Sequence, residues 1–442
     1  MTVTNPVAQA ALPFMNPRHF GATGDGVTLD TCALQAAIDA CAGQGGTVWV
    51  PAGVYVTGSL FLRSNLTLYL DAGATLLGSE DPNDYPVIES RWEGAHQLTY
   101  APLITGQNLD HITISGHGMI NGRGERWWKA YRAKALSYPR PRLISFADCR
   151  NVLIEGITAV NSPAWTVNPV RCENVSIRGV TIFNPADSPN TDGINPDSCR
   201  LVRISDCHIS VGDDCITIKA GTQYEHPDLR AACRDITINN CTLERGHGGV
   251  VIGSEMSGDV QNVVISNCVL IGTDRGIRLK SRRGRGGTVE NIYVSNIIMD
   301  GVLCPFTMNL YYHCNGAQGD KTISDKNPRP VDDGTPAFRR IHISHVSAVD
   351  VKIAAGFLYG LAEMPLEDIS FSDVSISLSE SAEPGLPEMA DDIPSMSRAG
   401  FFIRNARRVR LENVQISGQI GAAFDIDDSV DATIRSDSIS GG

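Results

Sequence analysis

One short pattern recurs along this chain and limits what it can fold into. A polar residue, usually Asn, is followed by apolar, variable and apolar positions, then two polar or small residues, then another apolar one. It reads NVLIEGITAV from Asn151, NVSIRGVTIF from Asn174, LVRISDCHIS from Leu201, DITINNCTLE from Asp235, NVVISNCVLI from Asn262 and NIYVSNIIMD from Asn291. An earlier copy, HITISGHGMI, starts at His111, and looser copies start at Arg340, Asp368 and Arg408. The six central starts are separated by 23, 27, 34, 27 and 29 residues. A unit of this length holds two or three short strands and no helix, and it cannot bury its inner face alone, so units must stack. Leucine-rich repeats have similar periods but need a Leu-x-x-Leu-x-Leu spacing that is missing here, and propeller blades are longer. The pattern predicts an all-β fold, a right-handed parallel β-helix, forming a single domain over 1–442.

A solenoid of strands exposes open edges at its ends, and these have to be covered. The segment TLDTCALQAAIDACAGQGG places Leu34, Ala37, Ile38 and Cys41 at helical spacing, with Gly43 positioned to end the helix. A capping helix is therefore expected over about 28–42, after an N-terminal extension over about 1–17. The tail SDSISGG reads as a polar end.

Composition narrows the function. With 42% hydrophobic and 19% charged residues, the chain can bury a large core. A formal net charge of −12 argues against a nucleic-acid partner. No apolar run is long enough for a membrane span, and MTVTNPVAQAALPFMNPRHF lacks the basic start and apolar core of an export signal. A cytoplasmic protein is expected, or a secreted or periplasmic one if a signal has been removed. The twelve cysteines show no zinc-type spacing, and most sit at strand positions as small hydrophobes.

Four motifs fall on successive repeats: NTDGINPDSC from Asn190, GDDC from Gly212, GHGGVVIGSEMSG from Gly246 and RGIRLKSRRGRGG from Arg275. Neighbouring parallel strands lie about 4.8 Å apart, so equivalent positions of consecutive coils form a column. Asp192, Asp213, Asp214, His247, Arg278 and Lys280 are thereby expected in one cleft. Like charges crowded together raise at least one carboxyl pKa, which leaves a proton donor near neutral pH while the other carboxylates activate water. Inverting glycoside hydrolysis needs that division, with acid and base about 6.5–9.5 Å apart. Alternation places Arg278 and Lys280 on one strand face, where Arg can grip a carboxylate on a sugar. The outer cations Arg282, Arg283 and Arg285 fit a solvated turn as well as a substrate contact. Asn174, Asn262 and Asn291 read as turn and stacking residues. No cluster has the pattern of a calcium or zinc site, so neither metal nor cofactor is expected.

These residues resemble the motifs of glycoside hydrolase family 28, the polygalacturonases: Asn-Thr-Asp at 190–192, Asp-Asp at 213–214, His-Gly at 247–248 and Arg-x-Lys at 278–280. FGATGDGVTLDTCALQAAIDAC and GHGMINGRGERWW also resemble stretches of bacterial members. The resemblance implies hydrolysis of α-1,4-galacturonosyl linkages by inversion, on galacturonate-containing oligo- or polysaccharides. It implies Asp213 as general acid, Asp192 and Asp214 as the pair that activates water, and His247 as their assistant. Arg278 and Lys280 would bind the galacturonate carboxylate, Asn190 would line the site, and Tyr312 would be the aromatic contact, with Tyr311 as the alternative. Where members tend to carry a histidine after the SPxW stretch, this chain has Asn168. Another pectic backbone such as rhamnogalacturonan, a calcium-dependent β-helix lyase, and an inactive adhesive β-helix are the competing readings. Exo action requires one end of the cleft to be blocked, and ESRWEGAHQLTYAPL and YHCNGAQGDKTISDKNPRPVDDGTP are the candidate blockers.

Overall fold

The computed structural model describes residues 14–313 and 319–435. Strands stack as parallel ladders from one coil to the next; among the described residues the hairpin Val87–Trp92/Ala95–Tyr100 is the antiparallel sheet. One inward column, Ile112, Val152, Val175, Val202, Ile236, Val263, Ile292, Ile341, Ile369 and Val409, runs in register through the wall. All ten side chains are buried. Each contributes about 1.5–3 kcal/mol of transfer free energy, which is why the repeat keeps β-branched residues there.

The corners explain the rest of the repeat. Asn267, Asn296, His345, Asp373 and Asn413 all have φ between 50° and 56°. Asn, Asp and His tolerate this left-handed conformation better than other side chains, and it bends the strand between two faces of a coil. The asparagines also bond from coil to coil: Asn296 Nδ2 donates to Asn267 Oδ1 at 3.2 Å, and Asn291 Nδ2 to Asn262 Oδ1 at 3.0 Å.

The capping helix α1 spans Thr31–Ala40, inside the expected 28–42. Residues 28 and 29 belong instead to the strand Asp25–Leu29, because the Asp30 carboxylate accepts from Thr23 and Gly24 N–H and holds the turn between them. Leu34, Ala37, Ile38 and Cys41 are fully buried and seal the coil end. Phe14–Met15, within the expected extension, already pairs with Gly46–Val50; the remainder of that extension and the tail SDSISGG lie outside the described residues. No helix among the described residues is long and apolar enough to cross a membrane.

One face of the coil carries four consecutive parallel strands: β1 (Asp214–Ile218), β2 (Gly248–Gly253), β3 (Arg275–Lys280) and β4 (Cys304–Asn309). The bridge Ile194↔Ile216 adds the coil of Asp192 before β1. Two insertions leave the coil and return to this face: the hairpin at 87–100, and a strap at about 379–398 between the strands Leu366–Leu378 and Ala399–Arg404.

Candidate active site

The Asp doublet sits at a corner. The strand His208–Ser210 ends, the chain turns through residues 211–213, and β1 begins at Asp214. Asp213 is therefore not a strand residue, so the two acids escape strict alternation and can both face the cleft. Asp214 N–H donates to Asp213 Oδ1 at 2.9 Å, fixing the pair locally. Asp192 stands one coil earlier, two residues before Ile194 as Asp214 is before Ile216. One oxygen of each of Asp192, Asp213 and Asp214 lies within 4.8 Å of the others. Stacked coils bring the nearest carboxylate oxygens together at strand spacing. A water with two hydrogen bonds of about 2.8 Å spans up to about 5.6 Å, so the oxygens of Asp192 and Asp214 are within reach of one bridging molecule.

The three carboxyls have different surroundings. Asp192, 3% exposed, accepts from Asn195 Nδ2 at 2.8 Å and from Thr217 Oγ1 at 3.3 Å. Burial, then the charge of Asp213, pushes its pKa up to about 7. Asp214 is as deeply buried, but Lys280 Nζ at 2.8 Å and Arg278 Nη1 at 3.3 Å outweigh the burial and hold it well below the usual carboxylate range. Asp213 is the more open, with 21% of its side chain exposed, and its Oδ1 lies 3.4 Å from His247 Nδ1. That hydrogen bond, with the Asp213 charge, raises the His247 pKa. Asp192 and Asp214 are thus equally buried but oppositely shifted, because no cation touches Asp192 and two touch Asp214.

Glycines make this geometry accessible. Gly246 has φ +86°, and a Cβ there would stand 2.2 Å from Asp213 O, the acceptor of the His247 N–H. At Gly248, a Cβ would meet Asp214 Oδ1 at 3.1 Å and Arg278 Cδ at 3.4 Å. The bare β2 backbone therefore lets cations on β3 reach back over one coil to Asp214. Arg278 and Lys280 do share a face, as alternation implies. Tyr312 stacks beyond them, its ring centroid 5.5 Å from Arg278 Cζ and 5.1 Å from Lys280 Nζ. Tyr311 is buried behind it against Tyr359. Asn190 accepts from Arg140 Nη2 at 2.6 Å and supports the Asp192 loop from below.

The structure adds groups that the motifs did not reveal. Lys219, on β1's continuation, pairs with Glu255 at 2.9 Å and lies 5.0 Å from the Trp165 ring. Its signal was present, since Thr217 and Lys219 are polar residues alternating within an otherwise apolar strand. Glu388 pairs with Arg278 through both Nε and Nη2. It lies in the irregular strap, 110 residues from its partner, and no local pattern announces it. Two of the outer arginines are not solvated in the way a turn would allow: Arg283 pairs with Glu363 at 2.6 Å, and Arg285 is buried with Nη1 3.3 Å from Gln223 Oε1, while Arg282 is half-buried. Asn168 is buried too, held by Arg142 Nη1 at 2.9 Å. Arg142 also donates to Arg91 O and Ser90 Oγ, so the hairpin covers this position.

The hairpin is anchored across the same face. Arg91 bonds Asp197 at 2.7 Å and Glu225 at 2.8 Å, Trp92 stacks on Trp165 with ring centroids 5.0 Å apart, and Gly94 O accepts from Thr222. Glu93 at its tip feels Lys219 and Arg140, and so does Asp192. Of the second candidate blocker, residues 314–318 lie outside the described part; Lys326 from its remainder sits 3.7 Å from the Tyr311 ring.

Comparison with known proteins agrees with this geometry. The model of glycosyl hydrolases family 28 matches residues 47–384. A probable polygalacturonase of Vitis vinifera is 36% identical over 389 residues, covering 86% of this chain and 77% of that one. Among solved structures, a hyperthermoactive exopolygalacturonase from Thermotoga maritima superposes with a TM-score of 0.76 at 30% identity, covering 92% of both chains. A family 28 exopolygalacturonase of Yersinia enterocolitica has a TM-score of 0.77 over 96% of this chain and 78% of its own, and at 23% identity it speaks for the fold alone. The carboxylate trio and its cations lie within the matched span, and the chain belongs to glycosyl hydrolases family 28.

Proposed function

We propose that this protein hydrolyses α-1,4-galacturonosyl linkages by inversion, releasing sugar from a chain end. The observation that carries the reading is the trio of carboxylates within 4.8 Å, beside the two cations of β3. Asp213, the exposed member, donates a proton to the glycosidic oxygen as the C1–O bond breaks. A water between Asp192 and Asp214 loses a proton to that pair as its oxygen bonds C1 from the opposite face. His247 holds Asp213 in place, and Lys280 and Tyr312 line the side on which Arg278 stands.

The raised pKa of Asp192 favours a second assignment, in which Asp192 is the acid and Asp213 shares the water. A substrate with an acidic phenol as leaving group separates the two, because it needs no proton. The acid is the residue whose Asn variant regains activity on that substrate but not on polygalacturonate.

Exo action is supported by the hairpin, which closes the face one coil from Asp192. Chromatography of early products tests it: monomer alone fits, and a ladder of oligomers overturns it. Release of α- or β-anomer, followed by proton NMR in the first minutes, tests inversion. Turnover on rhamnogalacturonan but not polygalacturonate would favour the other backbone, and absorbance from an unsaturated product would favour a lyase. A cytoplasmic location is supported by the eleven described cysteines, all unpaired and ten of them buried; recovery of the native protein in an extracellular fraction would overturn it.

A further inference from the structure

The strap at 379–398 reaches back to β3 and β4 and is fastened there residue by residue. Arg275 on β3 donates through Nε to Pro387 O at 2.9 Å and through Nη2 to Leu386 O at 3.0 Å. Asn309 on β4 donates to Met389 O at 3.3 Å, and Tyr312 pairs with Ala390 in an antiparallel bridge. Between these anchors Glu388 turns inward, fully buried, and takes Arg278 side-on through Nε at 2.8 Å and Nη2. Its other contacts are with Thr307 Oγ1 at 3.1 Å and Met389 N–H at 2.8 Å. Arg278 is left 2% exposed, with Asp214 on its remaining side.

This arrangement changes what the Arg-x-Lys pair offers a sugar. Each cation of the pair already has a carboxylate of the protein against it, Arg278 both Asp214 and Glu388, and Lys280 Asp214. Arg278 holds Glu388 at a pKa of about 2 against the effect of burial, so both carboxylates are ionised near neutral pH. A uronate arriving here finds the fork of Arg278 already filled by a carboxylate of the protein. Glu388 also lies beyond the family-matched residues 47–384, in an insertion rather than a coil.

We propose that Glu388 is a specificity-determining residue, which fills the fork of Arg278 with the protein's own carboxylate so that the sugar bound on that side need not bring one. The site then accepts a neutral, methyl-esterified galacturonate there. This rests on the galacturonan reading above. Lys280 keeps Asp214 in place, Arg278 acts as a positioning residue between two acids, and neither depends on the substrate for charge neutralisation.

The test uses α-1,4-digalacturonate and its two methyl monoesters, one on each ring, with monomer release followed for the full-length protein. One of the two monoesters is expected to be cleaved with kcat/KM within about threefold of the free dimer. In Glu388→Gln, which keeps the side chain's size, that same monoester should fall at least about tenfold behind the free dimer, because the freed guanidinium now selects for a carboxylate. Thermal unfolding of the variant checks that it folds, and the wild-type comparison decides independently if it does not. Losses of about a hundredfold or more for both monoesters on the wild type, or an unchanged preference in a folded Glu388→Gln, overturn the proposal. Cleavage of none of the three dimers, nor of polygalacturonate, overturns the galacturonan reading itself and this inference with it.

Discussion

Asp192→Asn should make the protein more stable while abolishing its turnover. In the folded chain the carboxyl titrates near 7 against an ordinary 3.8. At about 1.4 kcal/mol per pH unit, that gap is a penalty of about 4 kcal/mol on the folded state once the group is ionised. Because the folded pKa lies above the unfolded one, the sign is opposite to that of a salt-bridged acid. Below about pH 4 the carboxyl is protonated in both states and the substitution changes little. Between about pH 4 and 7 the unfolded chain releases its proton while the folded chain keeps it, and wild-type stability falls relative to the variant. Above about pH 7 the whole difference is present. Part of the shift comes from the neighbouring Asp213 charge, which can rearrange when Asp192 is changed, so the recoverable part is between about 2 and 4 kcal/mol. The amide oxygen of Asn still accepts from Asn195, so packing is kept. Urea unfolding of both proteins at a series of pH values measures the difference directly. A variant less stable than wild type at pH 8, or a difference that stays flat between pH 4 and 7, would refute the assignment of the buried proton to Asp192.

Asp214→Asn has the opposite sign: its carboxylate is held low by Lys280 and Arg278, so the variant should be destabilised near neutral pH, with the loss shrinking as acid protonates the wild type, in the same unfolding series. Asp213→Asn should lower kcat on polygalacturonate by about a thousandfold or more with an unchanged melting profile; ordinary turnover would remove Asp213 from the chemistry. His247→Gln should cost most at pH values below the ordinary His value of 6.5, where the imidazolium is formed, and progressively less as pH rises through its raised folded value; a pH–rate profile parallel to wild type would contradict the contact with Asp213. Gly94→Val would drive a Cβ to 2.4 Å from Thr222 Cγ2 and lift the hairpin tip, so oligomers should join monomer among the early products, as chromatography would show.

Much of the fold was legible because its rule is local and repeated. Asn267 and Asn296 mark corners through their own left-handed preference, and the apolar positions between them fill a column that is the same in every coil. The motif residues were legible for a related reason. Asp192 sits one coil before Asp214 and Lys280 two coils after it, so sequence separation converts into distance once the repeat is recognised. Only the tertiary structure decided which groups surround them. Glu388 and the hairpin tip at Glu93 come from insertions whose landing place depends on how far an irregular segment reaches, and no periodicity encodes that. The ionisation of the trio is likewise a property of the assembled cleft. Asp192 and Asp214 are equally acidic as residues and equally buried. They diverge because Lys280 and Arg278 reach across the glycines of β2 to one of them and not the other. The sequence by itself determined the stacking and the column of acids, since both follow from nearest-coil contacts. Where the proton rests and what fills the fork of Arg278 were decided by long-range packing, because electrostatic energies depend on distances that close only when distant segments meet.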